Sequence, residues 1–114
     1  MDKLLAGLRA AGESTRLRLL HLLSQGEFNV TEITRMLGHS QPRVSRHLKL
    51  MVEAGLLDRF KEASWVLFRV AEHGRPGDLA RAILSLLPAD DPVLERDRAR
   101  LAEVIAERNA AAMA

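Results

Sequence analysis

For the first half of this chain apolar residues recur at helical spacing, and a glycine or a capping residue stands at each interruption. From Asp2 to Ala11 the repeat is Leu4, Leu5, Leu8 and Ala11, and Gly12 stops it. Ser14 is placed to cap a second helix, TRLRLLHLLSQ, with Leu17, Leu20 and Leu23/Ser24 as its inward stripe and Gly26 at its end. In FNVTEITRMLG, Asn29 followed three residues later by Glu32 has the form of a capping box, and Ile33, Met36 and Leu37 face inward until Gly38. A fourth helix is predicted from Gln41 to Ala54. Ser40 is a good N-cap, Pro42 falls in the first turn where its missing N–H removes nothing the helix could use, and Gly55 terminates the run. On a wheel of about 100° per residue, Val44, Leu48, Met51 and Val52 gather on one side. Arg43, Arg46 and Lys49 spread across the other, flanked by Gln41 and Ser45, with His47 at the border.

After Gly55 the period changes. In LLDRFKEASWVLFRV, β-branched and aromatic residues lie on either side of a polar break from Glu62 to Ser64. This predicts a two-stranded hairpin, Leu57 to Lys61 against Trp65 to Val70, with Val66, Phe68 and Val70 on one face and Trp65, Leu67 and Arg69 on the other. EHGRPGD then reads as a loop, Asp78 as the cap of a short helix to Leu87, and Pro88 as its stop. Asp91 and Pro92 have the arrangement of a capped start for a last helix running to Ala114, with Leu94, Leu101, Val104 and Ile105 along one stripe. The expected fold is mainly α with a small β-hairpin, in the order α-α-α-α-β-β-α-α. That is the order of a winged helix-turn-helix, spread over one domain from residue 1 to 114.

At 114 residues and 47% hydrophobic content the chain suits one modest core. No window approaches the roughly 18 uninterrupted apolar residues of a membrane span, and MDKLLAGLRAAG is charged early with no cleavage-like site. A soluble, intracellular protein with no membrane partner is therefore expected. The absence of cysteine excludes disulfides, thiolate metal sites and cysteine nucleophiles. No glycine-rich phosphate loop or nucleophile motif is present, and Glu13, Asp58 and His73 lack any acid–base partner at recognisable spacing. No catalytic residue is expected, and the protein is read as a non-enzyme.

Charge distribution says more than net charge, which is only +2. From Ile33 to Val52, Arg35, Arg43, Arg46 and Lys49 meet no acid, whereas Asp90 to Ala114 carries six acids against four arginines. The third and fourth helices, joined by GHS, form the turn-linked pair, and the basic fourth is built to enter a DNA major groove by its N-terminal end. Ser40, Gln41, Arg43, Ser45, Arg46, His47 and Lys49 are the candidate DNA contacts, joined by Arg59 and Lys61 from the hairpin. His47 has two readings, a base or phosphate contact or a helix-packing residue. Trp65 is expected to pack within the hairpin, with contact to DNA as its alternative. A winged helix can also bind another protein, and the charge on Arg43, Arg46 and Lys49 argues against that use.

The stretch from Gly12 to Val70 resembles the ArsR family of bacterial transcriptional repressors. STRLRLL in the second helix, SQPRVSRHLKLMVEAGLL through the fourth, and the hairpin after it carry the likeness, in unbroken register over about half of the chain. The resemblance implies a cytoplasmic, nucleoid-associated homodimer, paired through its first and last helices, that binds a palindromic operator and releases it when an effector binds. Leu4, Leu5 and Leu8 with Leu94, Leu101 and Ile105 would supply the apolar seam, or else fill the monomer core. The wing departs from the pattern: many relatives have a glycine turn followed by arginine where Ala63 and Ser64 stand here.

The effector is where the likeness breaks. Metal-sensing members carry Cys-x-Cys in the third helix, and Asn29 and Thr31 occupy those positions. Others hold zinc or nickel through His and Asp on the last helix, which here has no His; Glu95, Asp97, Glu103 and Glu107 interleave with arginines and read as a solvated, ion-paired face. His21 and His73 read as surface or structural residues, and no metal or other cofactor is expected. A self-contained repressor with a non-metal effector is one reading. The other comes from DPVLERDRARLAEVIAERNAAAMA, which resembles the segment leading, in two-domain relatives, into a methyltransferase-like domain. That likeness implies S-adenosylhomocysteine or S-adenosylmethionine as effector if the chain is truncated before such a domain; an ordinary frayed, alanine-rich terminus is the alternative.

Overall fold

In the computed structural model, which describes residues 1–113, helices α1 (Asp2–Ala11), α2 (Ser14–Ser24), α3 (Val30–Leu37) and α4 (Gln41–Glu53) precede a hairpin. Strands β1 (Leu57–Glu62) and β2 (Trp65–Val70) form it, and α5 (Gly74–Leu86) and α6 (Pro92–Met113) follow. This is a winged helix-turn-helix. The predicted last residue of α6, Ala114, lies outside the described residues. None of the described helices is long and apolar enough to cross a membrane.

Helix α2 is the axle of the core. Leu19, Leu20, Leu22 and Leu23 are buried where a single stripe through Leu17, Leu20 and Leu23/Ser24 was predicted; Leu17 is only half-buried and Ser24 is exposed. A helix surrounded by neighbours needs apolar residues on more than one face; α2 touches α1, α4, α5, α6 and β2. Its cap also differs from expectation. Glu13, not Ser14, is the N-cap: its Oε1 accepts the Thr15 N–H at 2.7 Å, and Ser14 is the first helical residue. A carboxylate does this as well as a hydroxyl and adds charge where the helix dipole favours it.

The segment between α2 and α3 adds a bridge to the wing. Phe28 exchanges both backbone hydrogen bonds with Phe68, at 3.2 and 2.9 Å, and its side chain is buried. The Asn29/Glu32 capping box then starts α3 as predicted, with both reciprocal bonds in place at 2.9 and 3.0 Å. Gly38 ends α3 at φ 73°, a conformation an L side chain adopts only at a cost, and so makes the sharp turn that α4 needs.

The hairpin keeps the predicted register, Leu57 opposite Val70 through Glu62 opposite Trp65. Its loop, Ala63 and Ser64, places Ala63 at φ 54°. A left-handed alanine costs roughly 1–2 kcal/mol, and glycine returns part of that relief as unfolded-state entropy, roughly 0.4–1 kcal/mol. Ala63→Gly is therefore expected to stabilise the chain by about 0.5–1 kcal/mol. A thermal melt checks this: the midpoint should rise, and a lower midpoint would show that the wing turn carries no strain.

Two further expectations fail here. Trp65 does not pack in the hairpin; it is 61% exposed, because it lies with Leu67 and Arg69 on the face turned from the core and begins its strand at the wing tip. The loop before α5 is also shorter than EHGRPGD. The helix starts at Gly74 after His73, with Pro76 in its first turn, and Asp78 is not its cap but a partner of Arg81. A Cβ on Gly77 would come within 2.7 Å of the Glu72 backbone, so glycine is what lets that first turn close against the end of the hairpin.

Candidate nucleic-acid interface

Helix α4 divides cleanly into two sides. Val44, Leu48 and Met51 are buried against the core, with Val52 half-buried beside them. Gln41, Arg43, Ser45, Arg46 and Lys49 are exposed, as is the N-cap Ser40, whose side chain makes no capping bond. Among the described residues Arg43 and Arg46 have no carboxylate or carbonyl partner, and Lys49 has only a loose 4.0 Å approach to Glu53. Arg35, counted above with this basic run, is instead drawn to α6, where it meets Glu107 at 2.6 Å.

The hairpin adds to the same side. Arg59 and Lys61 share the β1 face with the buried Leu57, opposite Phe68 and Val66. As the strand leaves the core, the inner face thus changes from apolar to cationic, and both side chains are exposed. Arg69, on the outer face, is occupied: it stacks on Phe60 at 4.4 Å and lies 3.8 Å from both Asp58 and Glu27.

His47 is a packing residue. Its Nδ1 lies 3.2 Å from the Arg16 guanidinium and 3.4 Å from Glu13 Oε2, with only 14% of the side chain exposed. Arginine can only donate, so Nδ1 accepts and the ring proton sits on Nε2. Burial, with Arg16, Arg43 and Arg46 outweighing Glu13, holds His47 below the usual imidazole range. Burial also favours the neutral carboxyl of Glu13, but the Thr15 N–H, the Ser14 hydroxyl and His47 outweigh it and leave Glu13 below its ordinary value. His39, in the turn, is likewise lowered by burial and then by Arg43 and Arg18. The positive face is therefore built from guanidinium and ammonium groups, without imidazolium.

Residues far along the chain hold the turn that presents α4. Arg18 of α2 donates to both oxygens of Asp97 at 2.8 and 2.9 Å and to the Leu37 carbonyl at 3.3 Å. Arg100 of α6 donates to the Met36 carbonyl at 3.3 Å. These are free carbonyls at the C-terminus of α3, a place where cations are favoured. Asp97 is fully buried, which corrects its reading as part of a solvated face, and its hydrogen bonds raise the Arg18 pKa above the ordinary value. Elsewhere α6 is an exposed, ion-paired face: Arg108, 46% exposed, pairs with Glu32 at 2.8 Å and lies over the Phe28 ring. His21 is buried rather than at the surface, its Nε2 3.2 Å from Arg98.

The expected dimer residues separate. Leu4, Leu5 and Leu8 on α1 are exposed, at 50%, 38% and 46%. Leu94 and Leu101 are buried within the chain and Ile105 packs against the same core, so these three serve the monomer. The reason is that α6 lies across α2 and α3 with its apolar stripe inward. The described residues hold no group of three or more His, Cys, Asp or Glu able to bind a metal ion.

Residues 13–59 match the family model described as "Bacterial regulatory protein, arsR family". The chain is 35% identical over 98 residues to the arsenic resistance transcriptional regulator ArsR1 of Pseudomonas putida, covering 84% of this chain and 75% of that one. It is 44% identical over 62 residues to the arsenical resistance operon repressor of Escherichia coli, where the match spans 54% of this chain and about half, 53%, of the relative. Among solved structures, the homodimeric winged helix-turn-helix DNA-binding domain Mb0332 (fragment 1–100) from Mycobacterium bovis superposes with a TM-score of 0.65 at 28% identity, over 75% of each chain. With the capped α3, the glycine turn, the half-exposed α4 and the hairpin all in that order, this chain belongs to the arsR family of bacterial regulatory proteins.

Proposed function

We propose that the chain is a transcriptional repressor that binds a palindromic operator as a homodimer, with α4 in the major groove and the hairpin against the flanking backbone. The observation that carries this reading is the state of the arginines. Arg18, Arg35, Arg81, Arg100 and Arg108 each hold a carboxylate or a carbonyl; of the described arginines that hold neither, Arg9, Arg59, Arg75 and Arg96 stand singly on other elements, whereas Arg43 and Arg46 lie side by side on the outer face of α4. Free guanidinium forks suit guanine edges, and the open N-terminus of α4 suits a phosphate. Lys49, Arg59 and Lys61 serve the backbone, with Ser40, Gln41 and Ser45 as short polar contacts. His47 acts from behind, by fixing α4 to α2.

The homodimer rests on the exposed leucines of α1 and on the dimeric state in the name of the Mycobacterium bovis domain. Its duplex would carry half-sites about one helical turn, 34–36 Å, apart. A cytoplasmic place at the nucleoid follows from this role. A response to S-adenosylhomocysteine or S-adenosylmethionine enters the proposal only through a methyltransferase-like domain joined to this one.

Fluorescence anisotropy with an operator-like and a scrambled duplex, at two salt concentrations, tests the reading. A protein neutralising 6–10 phosphates loses about 10³–10⁵ in affinity between 50 and 200 mM salt, and a fall of that order is expected here. Lys49→Ala should weaken binding to both duplexes alike and lower the salt slope by about 1 for each protomer. A flat salt response with no sequence preference would mark the fold as a protein-binding module.

A further inference from the structure

A cleft of about 530 Å³ opens between α4, the start of α3 and the inner face of the hairpin. Its floor is apolar: Leu48 and Phe68 are buried there, and Val30, Val52 and Val66 are half-buried beside them. Trp65, at the wing tip where its strand begins, borders the open end of the cleft as well as the hollow on the hairpin's other side; it is 61% exposed and the largest aromatic surface left open among the described residues. Its rim is polar and of one prevailing sign, with Lys49 and Arg59 against the single acid Glu53. Glu53 lies toward Lys49, so among the described residues Arg59 is a cation at the rim with no acid of its own. An apolar hollow of this size with a few convergent polar groups has the make-up of a small-molecule site.

We infer that this cleft binds a small aromatic carboxylate, its ring against Trp65 and the valines and its carboxylate on Arg59. Charge complementarity selects this occupant. The exposed Arg59 at the rim offers an anion a charge partner that a neutral apolar molecule cannot use, and a larger polyanion could not use the apolar floor. The guanidinium–carboxylate bond is charge-assisted and bidentate in its best geometry, so the carboxylate supplies much of the discrimination. The regulatory consequence rests on the DNA reading above: Lys49 and Arg59 are assigned there to the duplex backbone, so a bound carboxylate takes a duplex contact and stands between wing and recognition helix. Ligand and duplex compete.

Trp65 is the only tryptophan and the chain has no tyrosine, so its emission reports the cleft directly. The experiment titrates the full chain with hydrocinnamate and, separately, with its neutral counterpart hydrocinnamyl alcohol, following Trp65 emission. Hydrocinnamate should shift the emission saturably, and the alcohol should bind about tenfold more weakly, as loss of one hydrogen bond to a charged group implies. Arg59→Gln, at an exposed position that leaves the fold alone, should bring the two compounds to equal affinity. No saturable shift, equal affinity in the parent chain, or an unchanged preference in Arg59→Gln would each overturn the site. In a second arm, hydrocinnamate is added to the chain on labelled duplex: release supports the competition, and a ternary complex overturns it. A parent chain that binds no duplex at all would defeat the DNA reading, while the Trp65 titration still decides the cleft.

Discussion

Asp97→Ala is expected to cost about 3–5 kcal/mol of folding stability, the largest effect of any single polar substitution in this chain. The carboxylate is fully buried and bonded through both oxygens to Arg18, whose side chain is only 12% exposed. Removing it leaves a guanidinium in apolar surroundings with the Leu37 carbonyl as its remaining described partner. Desolvation, rather than the lost attraction, sets the size of the loss. A domain of this kind has roughly 5–15 kcal/mol in all, so the variant should unfold at a much lower urea concentration. Two comparisons make the result specific. Glu107→Ala breaks an exposed pair with Arg35 and should cost less than about 1 kcal/mol. Replacing both Arg18 and Asp97 by methionine and leucine should recover most of the stability, because no charge is left stranded. If Asp97→Ala cost no more than Glu107→Ala, the buried pair would not be what joins α6 to the turn.

How much of this could be read beforehand depended on the range of the signal. The capping box at Asn29 and Glu32, the turn at Gly38, the start of α4 at Pro42 and the pairing of Leu57 with Val70 are local, and each was legible. Asp97 was not, because its partner lies 79 positions away and its neighbours Arg96 and Arg98 make it look like part of a charged face. A clue was nevertheless present. Leu94, Asp97, Leu101 and Val104 stand at spacings of three, four and three, so the acid falls on the apolar stripe itself. An acid on such a stripe implies a buried counter-charge. The same stripe shows why Leu94 and Leu101 face the core of the chain. Trp65 shows the reverse error. Strand alternation puts it on the outer face, and at the wing tip that placement overrides the general tendency of tryptophan to pack. His47 sat at the border of two faces, and only the position of Arg16 and Glu13 on α2 decides which one claims it.

The second large effect is functional: the double variant Arg43→Ala/Arg46→Ala should lose about 2–6 kcal/mol of operator affinity, taking 1–3 kcal/mol for each bidentate base contact. The two side chains are three residues apart on α4, hence neighbours on one turn, and both are exposed. Neither contributes to the core, so the urea midpoint should stay within about 0.5 kcal/mol of the parent. The stability result separates a lost reader from a lost fold. Binding to a scrambled duplex should fall much less, because the backbone contacts of Lys49, Arg59 and Lys61 remain, and the ratio of operator to scrambled affinity is therefore the quantity to measure. Arg35→Ala supplies the contrast within the same basic run: its guanidinium is held by Glu107, so its removal should leave that ratio unchanged. Equal ratios for the parent and the double variant would show that the free arginines of α4 do not read bases, and the specificity of the protein would then have to come from the shape of the duplex.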